Sequence, residues 1–119
     1  MTTTEIYSLE NLQAGPDSLT ATVRYDAAHA VFTGHFPDNP IVPGVCTLNM
    51  ITDVVQGQFG ADYQFDTAAF VKFLQLIRPD HVPTLRLSWK GSSPELHVQA
   101  TLELDGVMMM RFNGTYRRS

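Results

Sequence analysis

The sequence predicts an α+β fold in which one long apolar helix is covered by an antiparallel sheet. Three observations predict it: a helical periodicity from Gly44 to about Gly60, strand periodicity on both sides of it, and short turns between the last strands. Short connections make neighbouring strands antiparallel, and a sheet with one apolar face can cover one helix. With 119 residues, the chain is expected to form a single domain over residues 1–119.

The segment before the helix contains two predicted strands. Residues 1–17 are typical of an edge strand and a loop, because they end in the turn-forming residues Ala14–Asp17. Ser18–Tyr25 alternates between apolar and polar residues, which predicts a strand with one buried face. Asp26–Thr33 is ambiguous, and either a turn of helix or a loop fits it.

A proline-rich loop leads into the helix, since Pro37, Pro40 and Pro43 each fix φ and extend the preceding residue. The helix then carries an apolar stripe: Val45, Leu48, Ile51, Val55 and Phe59. A narrow polar stripe lies beside it: Asn49, Thr52, Asp53 and Gln56. A helix that is apolar on most sides is expected to be buried, which favours pairing of two subunits. The polar stripe must then be hydrogen-bonded, hydrated or exposed to a cavity.

Four further strands are predicted after the helix. The first, over Ala68–Ile77, contains a possible bulge, and Arg78–Pro83 forms the turn that follows it. Thr84–Lys90 and Glu95–Leu104 follow and alternate more cleanly. The last strand covers Val107–Tyr116, in which Met108-Met109-Met110 breaks the alternation. Asp105-Gly106 between the last two is a strong signal for a two-residue hairpin turn.

Charge and composition exclude several functional classes. The formal net charge of −4 argues against a nucleic-acid-binding protein. No apolar run approaches the roughly 20 residues that span a bilayer, so no membrane partner is expected. The N-terminus does not resemble a signal peptide, and the single cysteine, Cys46, is most simply explained by a reducing cytoplasm.

No cofactor or metal is expected, because the chain contains neither a glycine-rich phosphate loop nor histidines with metal-ligand spacing. Basic residues concentrate in the second half of the chain. They form either a patch for an acidic partner or solvated strand faces: Lys72, Arg78, Arg86, Lys90, Arg111, Arg117 and Arg118.

The loop and the start of the helix contain the motif His35-Phe36-Pro37-x-x-Pro40-x-x-Pro43-Gly44-Val45. This motif resembles the signature of the 3-hydroxyacyl-acyl-carrier-protein dehydratases of fatty acid synthesis, the FabA/FabZ group. Further similarity follows in Phe70-x-Lys72-Phe73 and Arg78-Pro79-x-x-x-Pro83. The resemblance implies a hot-dog fold, in which an antiparallel sheet wraps a long central helix. It also implies a homodimer or an assembly of dimers, acting on acyl chains carried by acyl carrier protein or coenzyme A.

The same resemblance implies roles for individual residues. His35 would be the base that removes the proton next to the thioester carbonyl, because its unperturbed pKa lies near 6.5. The amide N–H of Gly44 or Val45 would bind the enolate oxygen at the positive end of the helix dipole. Phe36 and Pro43 of the motif would contact the substrate. The product would be a 2-enoyl thioester for fatty-acid or related lipid or polyketide synthesis.

Asn49 departs from the family pattern, because counting along the motif places the family's helix carboxylate at this position. An amide has no proton to give at neutral pH. Three interpretations follow. Asp53, one turn further, supplies the carboxylate of a dehydratase; the scaffold hydrolyses thioesters, with Asp53 or His35 activating water; or the chain is a non-catalytic subunit that binds acyl chains or supports a catalytic partner.

Overall fold

One helix and six strands make up the described part of this computed structural model, which covers residues 6–29 and 40–118. The helix, α1, spans Gly44–Phe59. The strands are β1 (Tyr7–Ala14), β2 (Ser18–Tyr25), β3 (Tyr63–Phe73), β4 (Thr84–Ser92), β5 (Glu95–Leu104) and β6 (Val107–Arg118). Within these ranges, no helix is both long enough and apolar enough to cross a membrane.

All six strands form one antiparallel sheet in the order β1-β2-β4-β5-β6-β3. The helix packs on one face of this sheet, so the predicted α+β architecture is confirmed. The buried face of α1 consists of Thr47, Met50, Ile51, Val54 and Val55. These residues meet apolar side chains that alternate along β2, β4 and β5 and that are almost fully buried, such as Val23, Leu85 and Val98.

The β5–β6 hairpin confirms the predicted turn at Asp105-Gly106. Both residues have positive φ, 51° and 82°, as a two-residue type I′ turn requires. Cross-strand pairs extend from Leu104↔Val107 to Glu95↔Arg117. This hairpin positions β6 beside β3, and the two strands then form one wall of the candidate site.

The prediction for β3 was wrong in its limits, since the strand begins at Tyr63 and not at Ala68, and it ends at Phe73 and not at Ile77. Two register shifts, after Phe65 and after Ala68, put neighbouring residues out of phase and conceal the alternation. The second shift falls within the range in which a bulge was predicted.

Val45 was predicted on the buried apolar stripe of α1, yet 62% of its surface is exposed. Several apolar residues near it are exposed as well: Phe65, Phe73, Leu74 and Leu76. They lie on β3 or directly after it. The helix is therefore covered on its sheet side and open along the flank next to the sheet edge formed by β3.

Candidate active site

The amino-terminal end of α1 lies within the described residues, whereas His35 and Phe36 lie outside them. Pro43 precedes the helix in an extended conformation (φ −61°, ψ 142°), and among the described residues no side chain caps the helix. A Cβ placed on Gly44 would lie 3.0 Å from Cζ of Phe73, so the glycine lets this ring pack closely on the first turn. The ring of Phe73 therefore borders the backbone amides of the predicted oxyanion site.

Asn49 lines a cavity of about 220 Å³ beside the open flank of α1. We call it the Asn49 cavity. Its other lining residues are Val45, Leu48, Thr52, Phe65, Val71, Phe112 and Tyr116. Five of these seven side chains are apolar, and the polar atoms come from α1 and from the end of β6. Such a mostly apolar cavity with a few polar groups is typical of a small-molecule site.

Two hydroxyl groups meet in the wall of this cavity. Oγ1 of Thr52 and the hydroxyl oxygen of Tyr116 are 2.8 Å apart and form a hydrogen bond. Tyr116 is only 1% exposed. Burial raises the pKa of its phenol, the charge of Asp53 adds to that rise, and the bond to Thr52 opposes it. The phenol therefore keeps its proton at neutral pH.

Asp53 lies on the side of α1 that contacts β1. Its Oδ2 accepts a hydrogen bond of 2.8 Å from the hydroxyl of Tyr7 on β1. The two residues border a wider groove of about 550 Å³, which we call the Tyr7 groove and which is lined also by Ser8, Leu9, Leu12, Val54, Gly57 and Gln58. Asn49 and Asp53 therefore belong to different concave surfaces, although they are neighbours on the helix.

The predicted polar stripe accordingly divides into separate environments. Gln56 donates a hydrogen bond of 2.8 Å from Nε2 to the carbonyl oxygen of Tyr63. Thr52 bonds to Tyr116 and Asp53 to Tyr7, so three of the four polar side chains are hydrogen-bonded. Asn49 is exposed to the cavity. Of the three possibilities for this stripe, hydrogen bonding therefore applies to most of it and cavity lining to Asn49.

Sequence reasoning did not identify Tyr116 or Phe112 as cavity residues. Both lie on β6, and Tyr116 is 64 positions from its hydrogen-bond partner Thr52. The Asp105-Gly106 turn predicted that β6 pairs with β5, but it did not indicate which residues of β6 lie beside the helix. The register of the hairpin decides this.

The basic residues do not form one continuous patch. Four arginines pair with carboxylates: Arg78 with Asp80, Arg86 with Glu103, Arg117 with Glu95 and Asp66, and Arg118 with Asp62. Lys72 and Arg111 lie opposite each other on β3 and β6. Within residues 6–29 and 40–118, neither of these two cations forms an ion pair. The described residues also contain no cluster of His, Cys, Asp and Glu that could hold a metal ion.

A family model described as ApeI-like, ApeI dehydratase, matches residues 11–110 of the chain, which is most of its length. The chain belongs to the ApeI-like dehydratase family. This membership supports the hot-dog dehydratase superfamily that the sequence motif indicated. The narrower assignment to the FabA/FabZ group stays a prediction.

Solved structures agree with the fold of this ApeI-like chain. The dehydratase heterocomplex ApeI:P from Xenorhabdus doucetiae has a TM-score of 0.77 and 19% identity, covering 94% of this chain and 98% of that one. A hypothetical thioesterase with coenzyme A from Streptococcus pneumoniae has a TM-score of 0.65 and 14% identity, covering 95% and 88%. An inactive mutant of the CurJ dehydratase has a TM-score of 0.62 and 15% identity, covering 97% and 43%.

At these identities the structural likeness shows a shared hot-dog fold. No curated protein matches the chain. The dehydratase class therefore comes from the family, and the fold from the structure and its neighbours.

Proposed function

We propose that this protein removes water from a 3-hydroxyacyl thioester carried by acyl carrier protein and releases a 2-enoyl thioester. The position of the Asn49 cavity carries the proposal. The cavity begins at Val45 in the first turn of α1, whose amides suit a thioester oxygen, and apolar side chains suited to an acyl chain continue it.

The proposed reaction breaks two bonds of the substrate, C2–H and C3–O. His35 takes the proton from C2, and the electron pair moves through the enolate, whose oxygen is bound by the amide N–H of Gly44 or Val45. The enolate then re-forms the carbonyl, the C3–O bond breaks, and the hydroxyl group takes up one proton and leaves as water. Phe36 and Pro43 are proposed to contact the substrate beside His35.

Asn49 is proposed to hold the departing hydroxyl by a hydrogen bond. It lies about one helical turn after Val45 on the same side of α1, and side chains of a helix tilt back toward its amino-terminal end, in the direction of the proposed carbonyl site. Because its amide cannot supply the proton, we assign that role to the protonated carboxyl group of Asp53, through a water molecule. The proton that His35 takes from C2 restores this carboxyl group after water leaves. Asp53 is the helix neighbour of Asn49 at i+4, and its side chain borders the Tyr7 groove.

Lys72 and Arg111 are proposed to contact the acidic carrier protein. Their side chains flank the ring of Phe70, with Nζ of Lys72 5.0 Å and Cζ of Arg111 5.7 Å from its centroid. Like charges that face each other across two strands are destabilising by themselves. An acidic partner would relieve this repulsion, which favours a carrier protein over a free acyl chain.

A homodimer is proposed to complete the site. Among the strands that the structure describes, β3 is the last of the sheet, and its second edge pairs with none of them. Phe65 on this strand is 49% exposed and lines the Asn49 cavity, so a second copy at this edge would cover it. The relative from Xenorhabdus doucetiae was solved as a heterocomplex, and a mixed assembly is the competing outcome.

Thioester hydrolysis is the second candidate, and the amide at Asn49 favours it because the position lacks the acid that dehydration needs. The helix amides would bind the same carbonyl oxygen, and His35 or Asp53 would activate water.

One assay separates these functions. The purified protein is incubated with 3-hydroxydecanoyl and with decanoyl thioesters of acyl carrier protein, and the products are identified by mass spectrometry. We expect an enoyl thioester from the first and no change in the second. Free acids from both would support hydrolysis, and binding without product would support an acyl-binding protein.

His35→Ala should abolish enoyl formation and keep binding, whereas His97→Ala, on the exposed face of β5, should keep both.

A further inference from the structure

The Asn49 cavity has two chemically different ends. β3 runs antiparallel beside α1, because Phe73 lies against Gly44 while the carbonyl of Tyr63 accepts a hydrogen bond from Gln56. The end at the first turn of the helix is therefore apolar and contains Val45 and Val71. The opposite end contains the Thr52–Tyr116 hydroxyl pair and Phe65. The ring of Phe65 packs edge-on against that of Tyr116, with 5.7 Å between the ring centroids.

The two hydroxyl groups together carry one proton more than the hydrogen bond between them requires. Each hydroxyl carries one proton, and the 2.8 Å bond between Thr52 and Tyr116 uses one of them, whichever oxygen donates. Among the residues that the structure describes, neither hydroxyl has a second hydrogen-bond partner. The phenol remains protonated, as its raised pKa shows. The remaining proton is thus available to an acceptor that enters the cavity.

We infer that the Thr52–Tyr116 pair determines specificity at the far end of the acyl chain, by binding an oxygen carried there. Thr52 lies seven helix positions beyond Val45, a rise of about 10 Å. An extended chain advances by about 3.3–3.6 Å per three bonds, so the pair is reached roughly ten bonds from a thioester carbonyl bound at the helix end. A purely aliphatic chain of that length would leave the pair's second proton without an acceptor.

This inference rests on the proposed function only in requiring that the ligand is an acyl chain bound with its carbonyl at Gly44 or Val45. It differs from the role of Asn49, which lies between the two ends and faces the region of C3. Thr52 and Tyr116 are thus residues of chain selection and do not touch the reacting atoms.

The test compares two ligands that cannot react, the decanoyl and ω-hydroxydecanoyl amide analogues of the pantetheine thioester. Dissociation constants are measured by calorimetry. We expect the wild-type protein to bind the ω-hydroxy analogue about 3- to 10-fold more tightly, the value of one net hydrogen bond. In the double variant Thr52→Val/Tyr116→Phe the two analogues should bind equally, whereas Thr52→Val alone leaves the phenol of Tyr116 with its proton free and should keep a preference.

The matched control is Tyr63→Phe, since Tyr63 is also buried but does not line the cavity. It should keep the wild-type preference. An equal affinity of the wild-type protein for both analogues, or a preference that survives the double variant, would overturn the inference and leave the proposed function intact. Failure of both analogues to bind would overturn both.

Discussion

Asn49 is the residue at which this chain differs chemically from the dehydratases that its motif resembles. Its side chain is exposed to the mostly apolar Asn49 cavity. We therefore predict that Asn49→Glu raises the dehydration rate, because a protonated carboxyl would stand where the hydroxyl leaves. A positioned acid contributes about 10²–10⁴ in rate. Single-turnover rates measure the change, and Asn49→Gln, equal in size to the glutamate, should show no gain. A glutamate variant no faster than the glutamine variant would contradict the role of this position.

Asp53 has both a chemical and a structural candidate role, because its carboxylate also accepts the hydrogen bond from Tyr7. We predict that Asp53→Asn abolishes turnover, whereas Tyr7→Phe, which removes the bond but keeps the carboxylate, retains most of it. The two kcat values are the measurement, with thermal unfolding as the control for folding. Equal losses in both variants would show that Asp53 acts only by holding β1 against the helix.

The separation of Asn49 from Asp53 could not have been predicted at the residue scale. The two lie only about 40° apart around an ideal helix, so the sequence groups them in one stripe. The partner strands separate them: β6 supplies Tyr116 on one side and β1 supplies Tyr7 on the other. Neither partner is close to the helix in sequence.

At the scale of elements, periodicity predicted α1, β4 and β5 well, because these have one continuously buried face, and the Asp105-Gly106 turn predicted β6. β3 was harder to predict, since it is an edge strand with two register shifts and most of its residues are exposed. Such a strand has little pressure to alternate. The same irregular strand contributes Phe65 and Val71 to the cavity wall. The strand that was hardest to predict from the sequence therefore forms part of the candidate site.

Two glycines offer a matched test of the β3–β6 packing. A Cβ at Gly114 would lie 2.9 Å from the backbone oxygen of Thr67 and 2.6 Å from Cζ of Phe112. Gly114→Ala should therefore lower the free energy of unfolding by about 1–3 kcal/mol. Gly57, in the helix, has no atom within 4 Å of its hypothetical Cβ, so Gly57→Ala should raise it by about 0.5–1 kcal/mol. Urea denaturation measures both, and a Gly114→Ala protein as stable as wild type would contradict this packing.

For the whole molecule, buried tyrosines predict a loss of stability at alkaline pH. Burial, the larger cause in both cases, raises the pKa of Tyr25 and of Tyr116 above the usual value near 10. Because the pKa of each phenol is higher in the folded state than in the unfolded state, the contribution of the protonated phenols to the free energy of unfolding is complete below about pH 10. Above that pH the unfolded chain ionises first, so the free energy of unfolding decreases. Unfolding free energies measured from about pH 8 to about pH 11 should therefore fall at the alkaline end.

Tyr25→Phe provides the control for this prediction. The hydroxyl of Tyr25 is buried, and within the described residues it has no hydrogen-bond partner. Its removal should cost little stability near neutral pH and make the alkaline decrease shallower. Curves that run parallel for the variant and the wild type would show that Tyr25 does not contribute to it.

The fold of the whole molecule was predictable because one motif and one buried helix point to the same architecture, and family membership agrees with both. The single domain over residues 1–119 and the assignment of His35 as the base stay predictions. The Asn49 cavity is lined by side chains from α1, β3 and β6 together, which no sequence pattern relates to one another.

The most direct test is a crystal structure of the protein with a 3-hydroxydecanoyl amide analogue of the pantetheine thioester. We predict that the analogue's carbonyl oxygen accepts a hydrogen bond from the amide of Gly44 or Val45, that its hydroxyl faces Asn49, and that its chain follows the Asn49 cavity. An analogue bound in the Tyr7 groove beside Asp53, or away from the amino-terminal end of α1, would contradict the account.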